Sequence, residues 1–326
     1  MHNSKHQVGK FYEPIQPDLL QVGEKIKSLS NEQFPFLGEL LAHTLESEGK
    51  RLRPAITILT SKFHDNDGIH PTLMAAAVEL LHIATLVHDD TVDNADVRRG
   101  KATASSLWGE QVAVLLGDYL FATSATFVCD TYNIRVIRRF SETIMELSSG
   151  ELMELVGAYN VNLTREEYWR RLYNKTASLF CTSAESGSVL SGAYDSISQL
   201  FREYGYNLGM AFQVVDDILD FEGDAAEIGK PVGNDLLQGT VTLPAIMLLE
   251  RHPEENPIGK LFQKDNMDYY LERVVEMIQN SDIITDSYAV AVDFCNKARE
   301  SLASLPDNSY KRSLIELTEY VTTRRT

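Results

Sequence analysis

Two aspartate-rich segments of the form Asp-Asp-x-x-Asp, one starting at Asp89 and the other at Asp216, each follow a long apolar stretch. Carboxylates four residues apart share one face of a helix, so Asp93 joins Asp89, and Asp220 joins Asp216, in an acidic edge. One such edge on a soluble helix is usually a solvated face, whereas two, each opposite apolar residues, favour a pair of sites for hard cations. Magnesium prefers oxygen ligands and commonly joins a few carboxylates to a phosphorylated substrate. The spacing therefore indicates diphosphate chemistry.

Two short basic segments stand out in a chain of net charge −17. The first contains Lys50 and Arg53, and the second, which closely follows the first aspartate segment, contains Arg98 and Arg99. Each is open to two interpretations: a solvated patch of salt bridges, or basic groups that bind phosphate oxygens, for which the arginine fork is well suited. Metal-loaded carboxylates on one side and arginines on the other would enclose a diphosphate.

Five further polar residues are candidates for the same site. His82 lies two helical turns before the first aspartate segment and on the same face, so a ligand role is about as plausible as that of a satisfied core histidine. Lys175 and Thr176 interrupt an otherwise apolar stretch, while Gln213 precedes and Lys230 follows the second aspartate segment. Each alone is ordinary, and their shared placement is what favours function.

The composition restricts the class of protein. A chain of 326 residues, 44% of them hydrophobic, is long enough to bury a large core, and a net charge of −17 argues against a nucleic acid partner. Three widely spaced cysteines fit free thiols in a reducing compartment better than disulfides or a zinc site. The N-terminus lacks the apolar core of a signal peptide, and no apolar stretch reaches the ~20 residues that span a bilayer. We expect a cytoplasmic protein without a membrane span.

Helical periodicity dominates the chain, and neither a useful strand pattern nor a hairpin signal is present. We expect one all-α domain over residues 1–326, with residues 1–20 loosely ordered. The loops that follow the two aspartate segments, 94–107 and 222–242, carry the Gly, Lys, Arg and Thr residues typical of phosphate-binding loops. The predicted helices comprise residues 72–93, 109–129, 134–156, 165–193, 197–221, 266–280, 284–304 and 309–323.

Together these residues resemble the trans-isoprenyl diphosphate synthases of the polyprenyl synthetase family, and most of all the long-chain octaprenyl diphosphate synthases. The resemblance runs in register over roughly residues 40–326. One Asp-Asp-x-x-Asp segment also occurs in terpene cyclases, so it is the combination of both segments with the basic ones that is specific. The matching motifs are GKRLRP at 49–54, HDDTVDNADVRRGKAT at 88–103, GD at 117–118, KTASLF at 175–180, FQVVDDILDF at 212–221, GKPVGNDL at 229–236 and TLP at 242–244.

The resemblance implies an all-α, isoprenoid-synthase-type helical bundle around a deep central cavity, usually as a homodimer. It implies a magnesium-dependent prenyltransferase that elongates an allylic diphosphate, such as farnesyl diphosphate, with isopentenyl diphosphate, head to tail, and releases diphosphate. The product would be an all-trans polyprenyl diphosphate, and peripheral contact with a membrane would serve its release. Metal and cationic side chains would stabilise the charge on the leaving group, while an apolar cavity shields the allylic cation from water.

The resemblance also implies roles residue by residue. About three magnesium ions are implied, held by Asp89, Asp93 and Asp216, and catalysis would rest on these carboxylates with Lys175 and Lys230. The supporting carboxylates, acting directly or through water, would be Asp90, Asp217 and Asp220. The residues implied to bind isopentenyl diphosphate are Lys50, Arg53, His82 and Arg99, those implied to bind the allylic diphosphate are Arg98, Lys175 and Lys230, and those implied to line the reacting carbons are Thr176 and Gln213.

Two positions depart from the family pattern. Thr240 stands where a lysine often precedes the Thr-Leu-Pro segment, which removes one phosphate contact, and Glu154 stands where glutamine is common. Neither change removes a metal ligand, so activity is still expected. A non-elongating terpenoid enzyme is a second hypothesis, disfavoured by the residues of the isopentenyl diphosphate site. An inactive subunit of a heteromeric synthase is a third, disfavoured because both aspartate segments are intact.

Product length is predicted from the residues one turn before the first aspartate segment. Ala84 and Thr85 occupy positions where short-chain family members often place an aromatic ring, so the tunnel for the growing chain is open at that level. Since a helical turn of about 5.4 Å corresponds to roughly one isoprene unit, we expect a product of around seven to nine units. The alternatives are a short-chain farnesyl or geranylgeranyl diphosphate synthase, and Ala84 as a plain helix contact. Phe127 and Met145 are candidates for the tunnel floor.

Overall fold

The computed structural model of the protein describes residues 9–31, 34–46, 49–222, 232–264 and 266–324. These residues are mostly helical, which confirms the all-α class. The α-helices are α1 (Gln16–Lys27), α2 (Pro35–Leu45), α3 (Leu52–Ser61), α4 (Ile69–Val92), α5 (Ala104–Trp108), α6 (Glu110–Cys129), α7 (Ile134–Gly157), α8 (Arg165–Leu172), α9 (Ser178–Leu190), α10 (Asp195–Glu222), α11 (Asn234–Leu237), α12 (Leu243–Arg251), α13 (Ile258–Phe262), α14 (Met267–Gln279), α15 (Ile283–Ser301) and α16 (Ser309–Thr323). The other elements are two 3₁₀ helices (Lys10–Ile15 and Ser28–Asn31), one π-helical turn (Tyr173–Ala177) and the strands β1 (Val97–Arg98) and β2 (Lys101–Ala102).

The described residues form two compact units. The first aspartate segment belongs to the first unit and the second segment to the second, so each acidic edge is built by the helices of its own unit. That one domain spans residues 1–326 stays a prediction. The first unit draws its residues from Met1–Ser141, Thr182–Phe201 and Pro306–Leu314, and the second from Glu142–Cys181, Arg202–Leu305 and Ile315–Thr326.

Helix α4 lies in the core of the first unit because it is apolar on nearly every face. Its residues from Met74 to Leu81 are buried without a break, and it packs against α1, α3 and α6. At Gly117 of α6 a Cβ atom would come 2.1 Å from His88 Nε2, so any larger residue there would displace the His88 side chain. This close crossing positions the end of α4 that carries the first aspartate segment.

Part of the N-terminal segment, residues 10–20, is helical in the structure. Phe11 and Ile15 are buried by the first 3₁₀ helix, which leads directly into α1. Helix α1 in turn packs against α3 and α4. Residues 10–20, expected to be loosely ordered, are therefore helical and anchored by apolar side chains.

A two-stranded hairpin lies between α4 and α5, where the sequence predicts a loop without a hairpin signal. Strands β1 and β2 pair antiparallel, and the turn residues Arg99 and Gly100 both have positive φ, 51° and 77°. This geometry matches the twist of the strands and favours Asn-Gly or Gly-Gly turns. The prediction is wrong here because each strand has two residues and arginine is an unusual residue for the turn.

The predicted helix 165–193 is divided in the structure into α8, the π-helical turn and α9. Two glycines of α10 let its backbone lie directly against this segment. A Cβ atom at Gly205 would come 2.5 Å from the Phe180 carbonyl oxygen, and one at Gly209 would come 2.6 Å from Ala177 Cα. Such π-helical turns are frequent at functional sites, and this one carries the predicted Lys-Thr pair.

Among the described residues, α4 and α6 are long and apolar enough to cross a membrane by length and composition alone. This differs from the expectation that no stretch reaches that length. The core helix of a soluble protein passes the same test, and 61% of the most apolar window of α4 is buried inside the protein, against 39% for α6. The absence of a membrane span stays a prediction.

Candidate active site

The first aspartate segment lies at the C-terminal end of α4. The Asp93 backbone N–H donates to the Asp89 carbonyl oxygen over 2.8 Å, so the helical turn extends through both residues and their carboxylates share the predicted edge. Asp89 is partly buried and Asp93 is exposed. Asp90 is buried instead, and accepts a hydrogen bond from Arg98 Nε over 2.6 Å. This contact ties the hairpin to the acidic end of α4.

The two basic segments come together around Glu79, a residue that the sequence analysis does not identify. Burial raises the pKa of this carboxyl, while Arg53, Arg51 and Arg99 oppose the shift. Burial also lowers the pKa of His82 well below its ordinary value, in the same direction as the charges of Arg53 and Arg99. The result is a neutral imidazole beside a cluster of guanidinium groups, an arrangement suited to an anion such as a diphosphate.

Arg51 and Arg99 share an unusual backbone conformation. Both have a φ of 51°, in the left-handed region, which costs about 1–2 kcal/mol for a residue with a side chain. Arg51 immediately precedes α3, and the carbonyl of its neighbour Lys50 accepts a hydrogen bond from the Tyr12 hydroxyl. Strained residues of this kind cluster at ligand-binding sites, so the conformation supports a functional role for both segments.

The second aspartate segment lies in the last turns of α10. Arg324 Nη2 is 2.7 Å from Asp216 Oδ1 and also donates to the Phe212 carbonyl oxygen over 2.7 Å. Asp220 accepts a hydrogen bond from the Asp235 backbone N–H over 3.2 Å. Both carboxylates of this predicted edge are therefore fixed by residues that are not their neighbours in sequence.

Asp217 lies at the centre of a buried hydrogen-bond network. Its carboxylate accepts hydrogen bonds from the Tyr168 hydroxyl over 2.6 Å and from Gln213 Nε2 over 2.9 Å. Thr176 Oγ1 donates to Gln213 Oε1 over 2.6 Å. The two residues predicted to line the reacting carbons are thus joined to each other and to the second aspartate segment.

In this network, burial and a neighbouring negative charge disfavour the ionised form of two carboxyl groups. Burial, reinforced by the charge of Asp235, raises the pKa of Asp217 to about 7, and the same two causes raise the pKa of Asp220 to about 7. Near neutral pH the cation-free site therefore holds protons. A divalent cation favours the ionised form, so binding of the cation would release protons.

Lys175 lies in the π-helical turn, with its Nζ atom 2.6 Å from Glu154 Oε1 and 3.2 Å from Glu151 Oε2 of α7. A cavity of about 170 Å³ opens beside this pair within the second unit. Lys230, predicted to bind the same substrate, lies outside the described residues. The lining residues of the cavity include Glu154, Lys175, Gln213, Asp217, Asp235 and Thr240.

Within the described residues, no three His, Cys, Asp or Glu side chains form a group placed to hold a metal ion by themselves. The donor set still fits magnesium, because each edge offers carboxylate oxygens alone. Magnesium usually binds one or two carboxylates and completes its octahedron with water and substrate phosphate oxygens. The residues therefore fit a metal–diphosphate complex better than an ion held by protein alone.

The residues predicted to control product length lie inside the first unit. Ala84 is fully buried, and Thr85 is partly buried with its hydroxyl donating to the His82 carbonyl oxygen over 2.8 Å. Phe127 is buried and stays a candidate for the tunnel floor. Met145 is 72% exposed, so its side chain does not form a floor in the interior of the chain.

Comparison with known proteins decides the family. Residues 34–279 match the family described as polyprenyl synthetase. The chain belongs to the polyprenyl synthetase family. It is 35% identical over 314 residues to heptaprenyl diphosphate synthase component 2 of Bacillus subtilis (strain 168), covering 96% of this chain and 90% of the relative. It is 32% identical over 310 residues to octaprenyl diphosphate synthase of Escherichia coli (strain K12), covering 94% of this chain and 96% of the relative.

A solved structure gives the same result for this polyprenyl synthetase. The polyprenyl synthase of Caulobacter crescentus CB15, complexed with calcium and isoprenyl diphosphate, matches with a TM-score of 0.91 at 31% identity. The match covers 98% of this chain and 99% of that one. The predicted isoprenoid-synthase fold is confirmed, and the protein is a prenyltransferase of the long-chain polyprenyl type.

Four residues of the synthetase site escape the sequence analysis. Glu79 has a local signal, since an acidic residue in the middle of an apolar helix needs a partner. Asp235 also has one, because it lies within the quoted GKPVGNDL motif. Tyr168 and Arg324 have no local signal, because their contacts with the second aspartate segment join positions far apart in the chain.

Proposed function

We propose that this polyprenyl synthetase elongates an allylic diphosphate with isopentenyl diphosphate, head to tail and with magnesium, and releases inorganic diphosphate. The observation that carries the proposal is the pairing of each aspartate segment with basic groups of its own unit. Arg98 contacts Asp90 in the first unit, and Lys175 lines the same cavity as Asp217 in the second. The relatives named for heptaprenyl and octaprenyl products support a long all-trans product of around seven to nine isoprene units.

Magnesium would be held by the two acidic edges, with Asp89 and Asp93 binding two ions and Asp216 a third. Asp90 and Asp220 would support these ions directly or through water. When bound, the ions neutralise the charge that develops on the diphosphate leaving group. Support comes from the oxygen-only donor set of both edges, and from the Caulobacter relative, whose structure contains calcium and isoprenyl diphosphate.

Isopentenyl diphosphate would bind to the guanidinium cluster of the first unit. Arg53 and Arg99 offer forked donors for phosphate oxygens, and Lys50 adds an ammonium group beside them. His82 is neutral because burial lowers its pKa, so it would form one hydrogen bond without adding charge. Glu79 would hold the arginine side chains that surround it in place.

Lys175, which lines the cavity of the second unit, would bind the allylic diphosphate, a role that the family resemblance also gives to Arg98 and Lys230. The Arg98 guanidinium is already held by the Asp90 carboxylate, so its position is defined before substrate arrives. Thr176 and Gln213 would line the reacting carbons, and their mutual hydrogen bond fixes both side chains. Apolar walls would exclude water from the allylic cation.

We expect the protein to act as a homodimer in the cytoplasm, with peripheral membrane contact for product release. Helix α6 exposes Val114 and Leu115, and α7 exposes Leu152, Leu155 and Val156. Exposed apolar side chains of this kind are what a second copy would cover. Light scattering during size-exclusion chromatography would test the dimer.

All three cysteines are free, as expected in a reducing compartment.

The decisive experiment incubates the purified chain alone with farnesyl diphosphate, isopentenyl diphosphate and magnesium, and then sizes the product. We expect long-chain polyprenyl diphosphate and no product when magnesium is chelated. Arrest at farnesyl or geranylgeranyl length would establish the short-chain alternative. Turnover that needs a second protein would establish a subunit of a two-component synthase, as the name component 2 indicates for the Bacillus relative.

A further inference from the structure

Glu154 of α7 lies between two cations of the second unit. Its Oε1 atom is 2.6 Å from Lys175 Nζ, and its Oε2 atom is 3.9 Å from Arg171 Nε. Glu151, one turn earlier on the same helix, places a second carboxylate 3.2 Å from Lys175 Nζ. The ammonium group assigned to the allylic diphosphate is therefore held by two carboxylates of the chain itself.

Close packing fixes the backbone around this pair. A Cβ atom at Gly150 would come 2.6 Å from the Lys175 backbone nitrogen, so α7 approaches the π-helical turn as closely as glycine permits. Arg171 is buried and donates to the Val241 carbonyl oxygen over 2.6 Å. Glu154 thus extends from a well-packed helix toward Arg171, which is also held by a backbone carbonyl, and toward Lys175, whose backbone is closely packed.

The same residues line the cavity beside the π-helical turn. On its wall, Lys175 and Arg171 accompany the carboxylates of Glu154 and Asp235, while Thr240 contributes a neutral hydroxyl. A diphosphate entering this cavity would meet Glu154 as a competitor for the ammonium group of Lys175.

We propose that Glu154 is a positioning residue that sets the affinity for the allylic diphosphate, because it orients the Lys175 ammonium group toward α7 and competes with the diphosphate for it. This inference rests on the proposed function, which makes Lys175 a diphosphate ligand. On binding, Lys175 exchanges the Glu154 carboxylate for phosphate oxygens. Glu154 then keeps Arg171 as its cationic partner.

The test is Glu154→Gln, which removes the charge but keeps the shape and an oxygen that accepts a hydrogen bond from Lys175. The KM for the allylic diphosphate should fall about three- to tenfold, since the pair is partly exposed and water screens it. The dissociation constant of inorganic diphosphate, measured by calorimetry in magnesium, should fall by a similar factor. The KM for isopentenyl diphosphate should stay unchanged.

Three further variants separate positioning from structure. Glu154→Asp keeps the charge and should bind both substrates as the wild type does. Glu250→Gln removes the carboxylate of the exposed ion pair with Arg165, whose atoms are 2.7 Å apart, and should change neither KM. In a Lys175→Met background the effect of Glu154→Gln should vanish, because the two residues act through one contact.

An unchanged or higher allylic KM in Glu154→Gln would overturn the proposal. So would equal changes for both substrates, or the same gain in the Lys175→Met background. Failure of the wild-type protein to elongate any allylic diphosphate would overturn the proposed function instead. The calorimetric titration with inorganic diphosphate would still measure the effect of Glu154 by itself.

Discussion

The two aspartate segments share one sequence pattern, but the fold places them in different surroundings. In the first, Asp93 is exposed at the end of α4, and Asp90 is paired with Arg98 from the adjoining hairpin. In the second, Asp217 is buried and accepts a hydrogen bond from the Tyr168 hydroxyl. The middle aspartate is buried in both segments, but the first segment ends on an exposed carboxylate, whereas the second ends on a partly buried one that contacts Asp235.

The difference extends one helical turn back from each segment. Thr85 stands four residues before the first segment, and Phe212 stands four residues before the second. The Arg324 guanidinium lies over the Phe212 ring, 3.9 Å from its centroid, and also contacts Asp216. Small side chains precede the first edge, whereas an aromatic ring covered by a buried cation precedes the second. Ala84 and Thr85, the residues predicted to admit the growing chain, lie in the turn before the first segment.

A repeated motif therefore does not imply a repeated environment. Burial raises the pKa of Asp217 and Asp220 to about 7, so the second edge depends on a bound cation to be fully ionised near neutral pH. The same carboxylate pattern is thus adapted in two ways by its neighbours. Four experiments test this comparison.

The largest effect is expected from removing one carboxylate of either edge. Asp89→Ala and Asp216→Ala should each lower turnover by at least ~10³-fold, because charge stabilisation is the main catalytic term expected here. The far-UV circular dichroism should be unchanged, and Asp130→Ala, at the exposed end of α6, serves as a control. Near-normal turnover at saturating magnesium would contradict the metal assignment, and a large loss in one variant alone would show that the edges are not equivalent.

The next largest effect should distinguish the residues that bind isopentenyl diphosphate from those that bind the allylic diphosphate. Arg53→Ala should raise the KM for isopentenyl diphosphate about tenfold or more, whereas Lys175→Met should do the same for the allylic diphosphate, since each removes a charged phosphate contact. Steady-state kinetics with one substrate varied at a time measures both constants. Equal effects of each variant on both substrates would mean that the sites are wrongly divided.

Product length should respond to the turn before the first segment. Ala84→Phe should shorten the product by several isoprene units, because a ring at this position would block the predicted tunnel, and Ala84→Val should have an intermediate effect. Chromatography of the dephosphorylated products measures the length. Since Ala84 is fully buried, thermal unfolding must show that the variant is folded. A folded Ala84→Phe protein with a product of unchanged length would leave Ala84 as a plain helix contact.

The smallest effect concerns pH and the second segment. Asp217 and Asp220 have a folded-state pKa of about 7 against an ordinary value of 3.8, so between these pH values the folded protein binds more protons than the unfolded chain. The free energy of unfolding of the metal-free protein should therefore fall as pH rises from about 4 to about 7. Thermal melts with chelator measure this contribution. As pH rises from about 4 to about 7, the Tm of the wild type should fall by about 2 °C or more beyond any fall in the Tm of the variant Asp217→Asn/Asp220→Asn. The same pH slope in both proteins would contradict the pKa assignment.

Local pattern was enough to predict the helices that carry the site. Helices α4, α6 and α7 begin and end within a few residues of their predicted bounds, because their apolar periodicity repeats over several turns. The spacing of Asp89 and Asp93 places both carboxylates on one face of any helix that contains them. These features depend on residues within one or two turns of each other.

Other features depend on residues that lie far apart in the chain. The π-helical turn that carries Lys175 packs against glycines of α10, and the hairpin turn holds Arg99 beside Glu79. Arg324 reaches Asp216 from the end of α16. No pattern in a short window of sequence indicates these contacts, because each joins residues that only the folded chain brings together.

The sequence by itself determined which residues carry oxygen ligands and positive charge, and which helices present them, because residue type and helical periodicity are local properties. The tertiary structure decided which of the aspartates are buried, which cation each one meets, and where protons remain near neutral pH. Burial and electrostatic interaction depend on neighbours in space, so two copies of one motif acquired different chemistry only when the chain folded.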